Sequence, residues 1–330
     1  MVVFLGQFII KIESRKERVV MKGKIVSLVF GIFVVLLCCG CGKEWKGAEE
    51  KEKNLSPTKA QEAEATLTPT ITAEPEKIKG SIQTISDFYS EELDTKNVVR
   101  IYLPPEYEKS EESYSVIYMF DGQNLFDYST ATYQKEWHID ETLDNLYQEK
   151  STKGMIVVGV DSVAARRNKE YNLYLNAYEG GGEGDVLKVC DFYANTLKKY
   201  IDENYRTKTD REHTAVIGAS YGAVAAICAS TRYPEVYGYT GMFSYCDNQN
   251  PEKMTAYIKE HMTPEILTDN RIYFYTGKYD FAYQSTKGAY EIAKENKLEN
   301  IWYELDEGQH DEYSWGGKFT DCLNFFHWIE

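Results

Sequence analysis

The sequence has no surplus of basic residues and no regular framework of cysteines. Its 37 Lys and Arg stand against 52 Asp and Glu, a formal net charge of -15, which opposes binding to the phosphate backbone of nucleic acids. Of the 7 cysteines, three crowd residues 38–41 and the others are scattered singly, unlike the pattern of a disulfide-stapled secreted domain. The cluster at 38–41 lacks a histidine or a second cysteine pair at metal-ligand spacing. We therefore expect no nucleic-acid partner and no metal site.

Long apolar runs are scarce, and the one near the N-terminus indicates a signal. Residues 25–37 are apolar, but a helix needs about 20 residues to span a bilayer. The basic stretch 21–24 precedes this run and Gly40-Cys41 follows it, which is the order of regions in a signal peptide. The Gly40-Cys41 pair resembles a bacterial lipoprotein signal, in which the cysteine is acylated and becomes the new N-terminus. We therefore predict a lipid on Cys41, with an uncleaved membrane helix as the alternative.

The chain divides into three predicted parts. Residues 1–41 combine an upstream extension with the lipoprotein-type signal, and the start is either Met1 or Met21, where a complete signal begins. Residues 42–79 are rich in Glu, Lys, Ala, Thr and Pro and cannot bury enough apolar surface to offset the entropy of ordering, so they are predicted to be a flexible linker. Residues 80–330 form one predicted domain. The lipid would hold this exported domain at the outer face of the bacterial cell membrane.

Apolar runs and helical patterns alternate along the predicted domain. The predicted strands are 98–103, 115–120, 155–160, 214–218, 240–244, 271–275 and 300–305. The predicted helices are 185–203, 221–232, 251–261, 286–296 and 318–329. Several strands are continuously apolar, as strands covered on both faces are. The βαβα order predicts an α/β fold with a mostly parallel central sheet, helices on both faces and chemistry beyond the carboxyl ends of the strands.

A serine follows one of these strands in a motif that carries nucleophilic chemistry. The strand at 214–218 leads into Gly218-Ala219-Ser220-Tyr221-Gly222, and a helical pattern follows at once. This Gly-x-Ser-x-Gly sequence between a strand and a helix is typical of the nucleophile elbow of α/β-hydrolases. The small residues allow a tight turn that presents the serine above the sheet. Ser220 is therefore the predicted nucleophile.

A serine nucleophile needs a base, and the sequence offers five histidines. They are His138, His213, His261, His310 and His327. Only His310 lies downstream of the serine in a loop after a predicted strand, where this fold places its base. The other four are expected at the surface or in packing. His310 is therefore the predicted general base.

The acid that orients the histidine should lie between the serine and the histidine, after another strand. Asp280 follows the strand at 271–275 and is the first choice, since a carboxylate there would fix the imidazole tautomer and stabilise the imidazolium. Asp247 and Asp306 are the alternatives.

The tetrahedral intermediate also needs N–H donors. The backbone of Tyr221 and Gln123, the latter in the loop after the strand at 115–120, are predicted to form this oxyanion hole.

Several further segments of the chain form a specific pattern together with the triad residues. They are 100–104, 121–126, 137, 140–143, 158–161, 167, 171, 200–202, 205–207, the Ser220 elbow, 310 and 315. Together these residues resemble the putative-esterase branch of the α/β-hydrolases, which includes feruloyl, acetylxylan and enterochelin-type esterases. The resemblance spans about residue 98 to residue 328. The chain departs from the family at Ala223, where a second glycine usually follows the elbow. The resemblance implies hydrolysis of carboxylic esters through an acyl-enzyme, with no metal or organic cofactor.

The predicted function is that of a serine esterase acting outside the cell on sugar-linked acetyl or feruloyl esters. Arg167 and Tyr171 lie in a polar run that is expected to line the entrance and contact a small-molecule or oligosaccharide ester. Siderophore esters are the alternative substrates, and a non-catalytic surface binding protein on the same scaffold is the alternative function. A glycoside hydrolase would need two facing carboxylates and has no motif here. An acyltransferase would share the triad and differ only in excluding water.

Overall fold

The computed structural model describes residues 78–330 and the backbone of two short upstream strands. These are β1 (Val2–Leu5) and β2 (Phe8–Lys11), which pair antiparallel. The predicted signal, Cys41 and almost all of the predicted linker lie outside the described residues. Among residues 78–330, no helix is both long enough and apolar enough to cross a membrane.

An eight-stranded sheet runs through residues 78–330, with the strand order β10-β9-β8-β7-β5-β6-β4-β3. Its strands are β3 (Ser81–Ser90), β4 (Thr95–Leu103), β5 (Val116–Phe120), β6 (Ile156–Val160), β7 (Thr214–Ala219), β8 (Tyr239–Phe243), β9 (Arg271–Gly277) and β10 (Ile301–Asp306). The strands from β5 to β10 pair parallel. Strand β4 is antiparallel to β6, and β3 is antiparallel to β4. The predicted mostly parallel sheet is confirmed.

Helices cover both faces of this sheet. They are α1 (Ile139–Gln148), α2 (Ala164–Glu170), α3 (Val186–Asp191), α4 (Lys198–Asn204), α5 (Tyr221–Arg232), α6 (Pro251–His261), α7 (Tyr283–Glu295), α8 (Glu312–Gly316) and α9 (Phe319–Phe326). A π-helical segment, Phe192–Leu197, joins α3 to α4. One core cluster packs α3 to α7 against the sheet, and a second packs α1 and α9 against the other face. The central strands are covered on both faces, which explains why their sequences are continuously apolar.

Some elements differ from the sequence prediction. Strand β3 was not predicted, because most of its side chains are exposed and its sequence has no apolar alternation. Helix α9 ends at Phe326 rather than continuing to residue 329, because His327 takes a left-handed conformation with φ 60°. Helices α2 and α8 were not predicted because they are too short to give a helical period, and α1 is also absent from the predicted helices.

Candidate active site

Ser220 occupies a sharp turn between β7 and α5. Its backbone has φ 58° and ψ -124°, a conformation that an L-residue adopts at a cost of about 1–3 kcal/mol and that persists only where the surroundings impose it. Its N–H donates to the carbonyl of Phe243 (2.9 Å), and its carbonyl accepts from the N–H of Ala223 (3.1 Å). A Cβ on Gly218 would lie 2.1 Å from the carbonyl oxygen of Gly222. The turn therefore requires glycine at 218 and directs Ser220 away from the sheet.

His310 and Asp280 meet beyond the ends of β10 and β9. The Nδ1 atom of His310 lies 2.8 Å from Oδ1 of Asp280, whose side chain is fully shielded from solvent. A hydrogen bond at Nδ1 fixes the ring so that Nε2 is the nitrogen free to act on a substrate. Ser220 and His310 both line one cleft of about 560 Å³. The predicted serine, histidine and aspartate are thus brought to one edge of the sheet.

Asp280 has further partners that the sequence did not indicate. Its Oδ2 accepts from the hydroxyl of Ser244 (2.5 Å), and its Oδ1 accepts from the N–H of Ala282 (2.6 Å). The indole N–H of Trp315 donates in turn to the Ser244 hydroxyl (2.7 Å). Burial by itself raises the pKa of Asp280, but the hydrogen bonds from His310 and Ser244 outweigh it and leave the pKa below its ordinary value. The carboxylate is therefore held ionised against the imidazole.

The other candidate carboxylates and histidines lie elsewhere. Asp306 accepts from the hydroxyl of Tyr275 and the N–H of Gly308. Asp247 is buried, and burial raises its pKa. Of the three candidate acids, Asp280 is the one that contacts His310. The remaining histidines lie at helix ends or turns. His138 precedes α1 and His213 bonds Asp210 before β7. His261 is the last residue of α6, and His327 follows the last residue of α9.

The predicted oxyanion loop follows β5 as a 3-10 turn, Gly122–Asn124. A Cβ on Gly122 would lie 2.6 Å from the backbone carbon of Gly159 in β6, so this close approach requires glycine. The side chain of Gln123 is tied down, since its Oε1 accepts from the N–H of Ser162 (2.9 Å). In the described part of the chain, the N–H groups of Gln123 and Tyr221 donate to no backbone carbonyl. Gln123 lines the cleft, and Tyr221 is the first residue of α5, directly after the serine.

The two predicted substrate contacts have different surroundings. Arg167 lines the cleft, and its Nε and Nη2 donate to the two carboxylate oxygens of Asp121, each at 2.7 Å. Tyr171 is buried beneath it, with its hydroxyl accepting from the N–H of Asp121 (3.2 Å). The guanidinium also lies over the ring of Tyr221. The structure thus places Arg167 on the cleft wall and Tyr171 behind it, where Tyr171 supports Asp121 rather than the cleft surface.

Aromatic side chains and one carboxyl complete the cleft. The exposed ring of Phe281 lies 4.0 Å, centroid to centroid, from the imidazole of His310, and exposed Tyr133 stands on the wall as well. Glu312 lines the cleft although it is only 7% exposed. Its Oε1 accepts from Nδ2 of Asn124 (2.9 Å). Within residues 78–330, no group of three or more His, Cys, Asp or Glu side chains is placed to hold a metal ion.

The model of the putative esterase family matches residues 90–326 of the chain. The chain belongs to the putative esterase family. This putative esterase is 29% identical over 171 residues to an endo-1,4-beta-xylanase/feruloyl esterase of Xylanibacter ruminicola, which covers 50% of the chain and 22% of that protein. It is 24% identical over 150 residues to an uncharacterised protein, YbbA, of Bacillus subtilis, with 44% and 54% covered. The matches thus span about half or less of these two relatives.

Solved structures of esterases share the fold of this putative esterase. A ferulic acid esterase superposes with a TM-score of 0.61 at 18% identity, covering 76% of the chain and 98% of that structure. The enterobactin esterase of Shigella flexneri, solved with enterobactin, gives a TM-score of 0.58 at 17% identity, covering 77% and 60%. The predicted family and the α/β-hydrolase fold are therefore confirmed. The description of this family is that of an esterase, in agreement with the class of enzyme that the sequence predicts.

Proposed function

We propose that the protein hydrolyses carboxylic esters through a covalent acyl-enzyme formed on Ser220. The observation that carries this proposal is the 2.8 Å contact of His310 Nδ1 with buried Asp280, in the cleft that Ser220 lines from its strained turn. A nucleophile, a base and an acid that orients the base are the three parts of a serine hydrolase. No cofactor takes part in this mechanism.

The reaction would proceed in two halves. In the first, Ser220 Oγ bonds to the ester carbonyl carbon while His310 Nε2 takes the hydroxyl proton. The bond from that carbon to the alcohol oxygen then breaks, and His310 returns the proton to the departing alkoxide. In the second half, water attacks the acyl-enzyme, His310 takes its proton and passes it to Ser220 Oγ, and the carboxylic acid leaves. Asp280 stabilises the imidazolium that forms in each half.

The negative charge on the carbonyl oxygen needs donors that are already in place. The backbone N–H groups of Gln123 and Tyr221 suit this role, because each follows a strand end beside the nucleophile and neither donates to a backbone carbonyl among the described residues. Tyr221 also begins α5, whose N-terminal dipole favours negative charge. Gly122 allows its loop to approach β6 closely and holds Gln123 in position.

We propose sugar-linked acetyl or feruloyl esters as the substrates, with siderophore esters as the alternative. The feruloyl esterase and enterobactin esterase similarities support these two classes respectively. A panel of acetylated, feruloylated and siderophore esters, compared by kcat/KM, separates them. The predicted lipid on Cys41 and the outer face of the membrane belong to this proposal, since a tethered enzyme would meet such esters outside the cell.

Replacement of the nucleophile tests the mechanism. Ser220→Ala is expected to lower kcat for a soluble ester by several orders of magnitude while the folded structure stays intact. A serine-directed phosphonate should label Ser220 in the native protein and not in urea-unfolded protein, because the reaction needs the assembled site. Ser230→Ala, a buried serine in α5 that bonds Thr240, is the control and should keep both labelling and activity. Near-normal turnover by Ser220→Ala would refute the acyl-enzyme.

A further inference from the structure

Glu312 is a buried carboxyl group on the wall of the catalytic cleft, and the mechanism above does not use it. It begins α8, directly after the loop that carries His310. Its side chain is only 7% exposed yet contributes to the same cleft as Ser220. Its Oε1 is bonded by the amide of Asn124. In the described part of the chain no Lys, Arg or His lies within ion-pair distance of it, and a buried carboxylate without a cation is rare.

The charged groups around Glu312 leave its charge uncompensated. On one side Asp121 is paired with Arg167 through two hydrogen bonds. On the other side Asp311 is paired with Lys135 at 2.8 Å. Each of these carboxylates already has its own cation, and His310 must be neutral when it acts as a base. When Glu312 is ionised, the cleft wall therefore gains one negative charge that no cation compensates, in addition to the charge of Asp280, which lies behind neutral His310.

Given the ester hydrolysis proposed above, we propose that Glu312 determines specificity by favouring neutral esters, such as acylated neutral saccharides, over esters that carry a carboxylate. An ionised Glu312 can accept hydrogen bonds from substrate hydroxyl groups. A substrate carboxylate in the same cleft would face a like charge in surroundings where water screens poorly. Uronic acid esters and other anionic esters would thus be rejected by repulsion, which is a common way to build specificity.

The protonation of Glu312 makes this specificity dependent on pH. Burial, with a smaller contribution from the charge of Asp121, raises the pKa of Glu312 to about 7. The cleft wall is therefore mostly neutral about one pH unit below that value and mostly charged one unit above it. Discrimination against anionic esters should strengthen as the pH rises through this range.

A pair of matched esters isolates the effect. Phenyl acetate is neutral, and 4-acetoxybenzoate differs from it by one carboxylate that stays ionised above about pH 5. The measured quantity is kcat/KM for 4-acetoxybenzoate divided by kcat/KM for phenyl acetate, from about pH 6 to about pH 8.5. Both esters need neutral His310, so its titration cancels from the ratio. We expect the ratio to fall about tenfold across this range, because like charges a few ångströms apart repel strongly in a shielded cleft.

Two variants assign the effect to Glu312. Glu312→Gln keeps the shape and an acceptor for Asn124 but has no charge, so its ratio should be about tenfold higher than that of the natural protein at high pH and should not change with pH. Glu235→Gln removes one exposed carboxylate just beyond α5, at the opposite end of the sheet from the cleft. This control should keep the pH-dependent ratio of the natural protein, since its charge is distant and screened.

The outcomes separate this inference from the proposed function. If neither ester is cleaved by the natural protein under conditions where its fold is intact, the ester hydrolysis itself is refuted. If both esters are cleaved but the ratio is flat in the natural protein, or falls equally in Glu312→Gln, the role of Glu312 is refuted while the esterase stands. Thermal unfolding of each variant confirms that the compared proteins are folded.

Discussion

At the scale of single residues, the contact of Asp280 with His310 distinguishes the three acids that the sequence left open. Asp280→Asn should lower kcat for a soluble ester by about 100- to 10,000-fold, because an amide cannot hold the correct tautomer or stabilise the imidazolium. Steady-state kinetics on the purified variant measures this loss. Asp247→Asn and Asp306→Asn are matched controls that should change kcat little, since neither carboxylate contacts His310. A crippled Asp306→Asn beside an active Asp280→Asn would contradict the assignment.

Glu312 should reduce stability at neutral pH. Its pKa, about 7 in the folded protein, exceeds the value of about 4.3 for an unfolded chain, so the folded state binds the extra proton between these two values. The contribution of this group to the free energy of unfolding therefore decreases as the pH rises from about 4.3 to about 7. Above that range the folded protein is destabilised by the full amount, because Glu312 is then ionised in the folded and the unfolded state. Glu312→Gln should remove a cost of up to about 3 kcal/mol above pH 7 and little near pH 4.

Urea unfolding at several pH values checks this stability prediction. The difference in free energy of unfolding between Glu312→Gln and the natural protein should grow with pH through the stated window. Glu235→Gln serves again as the control and should give a small difference that does not grow, because its carboxylate is exposed. If the gain in free energy of unfolding from Glu312→Gln is smaller at pH 8 than at pH 5, the proposal that the folded protein buries a charged Glu312 would be contradicted.

The predictable residues share one property: each follows a strand along the chain. Ser220, Asp280 and His310 come directly after β7, β9 and β10, so the sequence pattern alone places them at one edge of a parallel sheet. Ser244 also follows a strand, β8, and donates a hydrogen bond to Asp280. Its backbone is left-handed, with φ 49°, and a serine in the sequence does not indicate this conformation. Glu312 was missed because Asn124, the residue that donates a hydrogen bond to it in the cleft, lies far away in sequence.

At the scale of elements, the turn between β7 and α5 holds strain that serves catalysis. The φ and ψ angles of Ser220 suit glycine better than any residue with a Cβ. Ser220→Gly should therefore be more stable than Ser220→Ala by about 1 kcal/mol, although both lack the nucleophile. Chemical denaturation of the two variants measures the difference. Equal stability, or a less stable Ser220→Gly, would show that the turn stores no such strain.

The element predictions succeeded where burial is uniform. Helices α5 and α6 occupy the predicted residues, and the strands from β5 to β10 lie within one or two residues of the predicted bounds. Strand β3 was not predicted because it lies at the edge of the sheet, where it pairs with β4 alone and buries few side chains. The π-helical segment between α3 and α4 also leaves no trace in the apolar pattern, since one inserted residue shifts the period only locally.

At the scale of the whole molecule, the strand order could not be predicted from the sequence, but it decides where the chain enters the domain. Ser81 pairs with Leu103, and Tyr102 pairs with Val157 near the amino end of β6. The N–H of Gly80 is held by Asp144 of α1 at the same end. The chain therefore reaches the sheet at the edge opposite the cleft.

The proposed lipid tether gives the last prediction. If Cys41 is acylated, Cys41→Ser should release active protein into the medium or leave an uncleaved precursor, while the natural protein stays with the membrane fraction. Cys39→Ser is the matched control, because it changes a neighbouring cysteine without changing the one after Gly40. Mass spectrometry of the mature N-terminus and esterase assays of each fraction give the readout. An intact apolar segment at 25–37 on the mature, membrane-bound protein would contradict the lipid and support a membrane helix in its place.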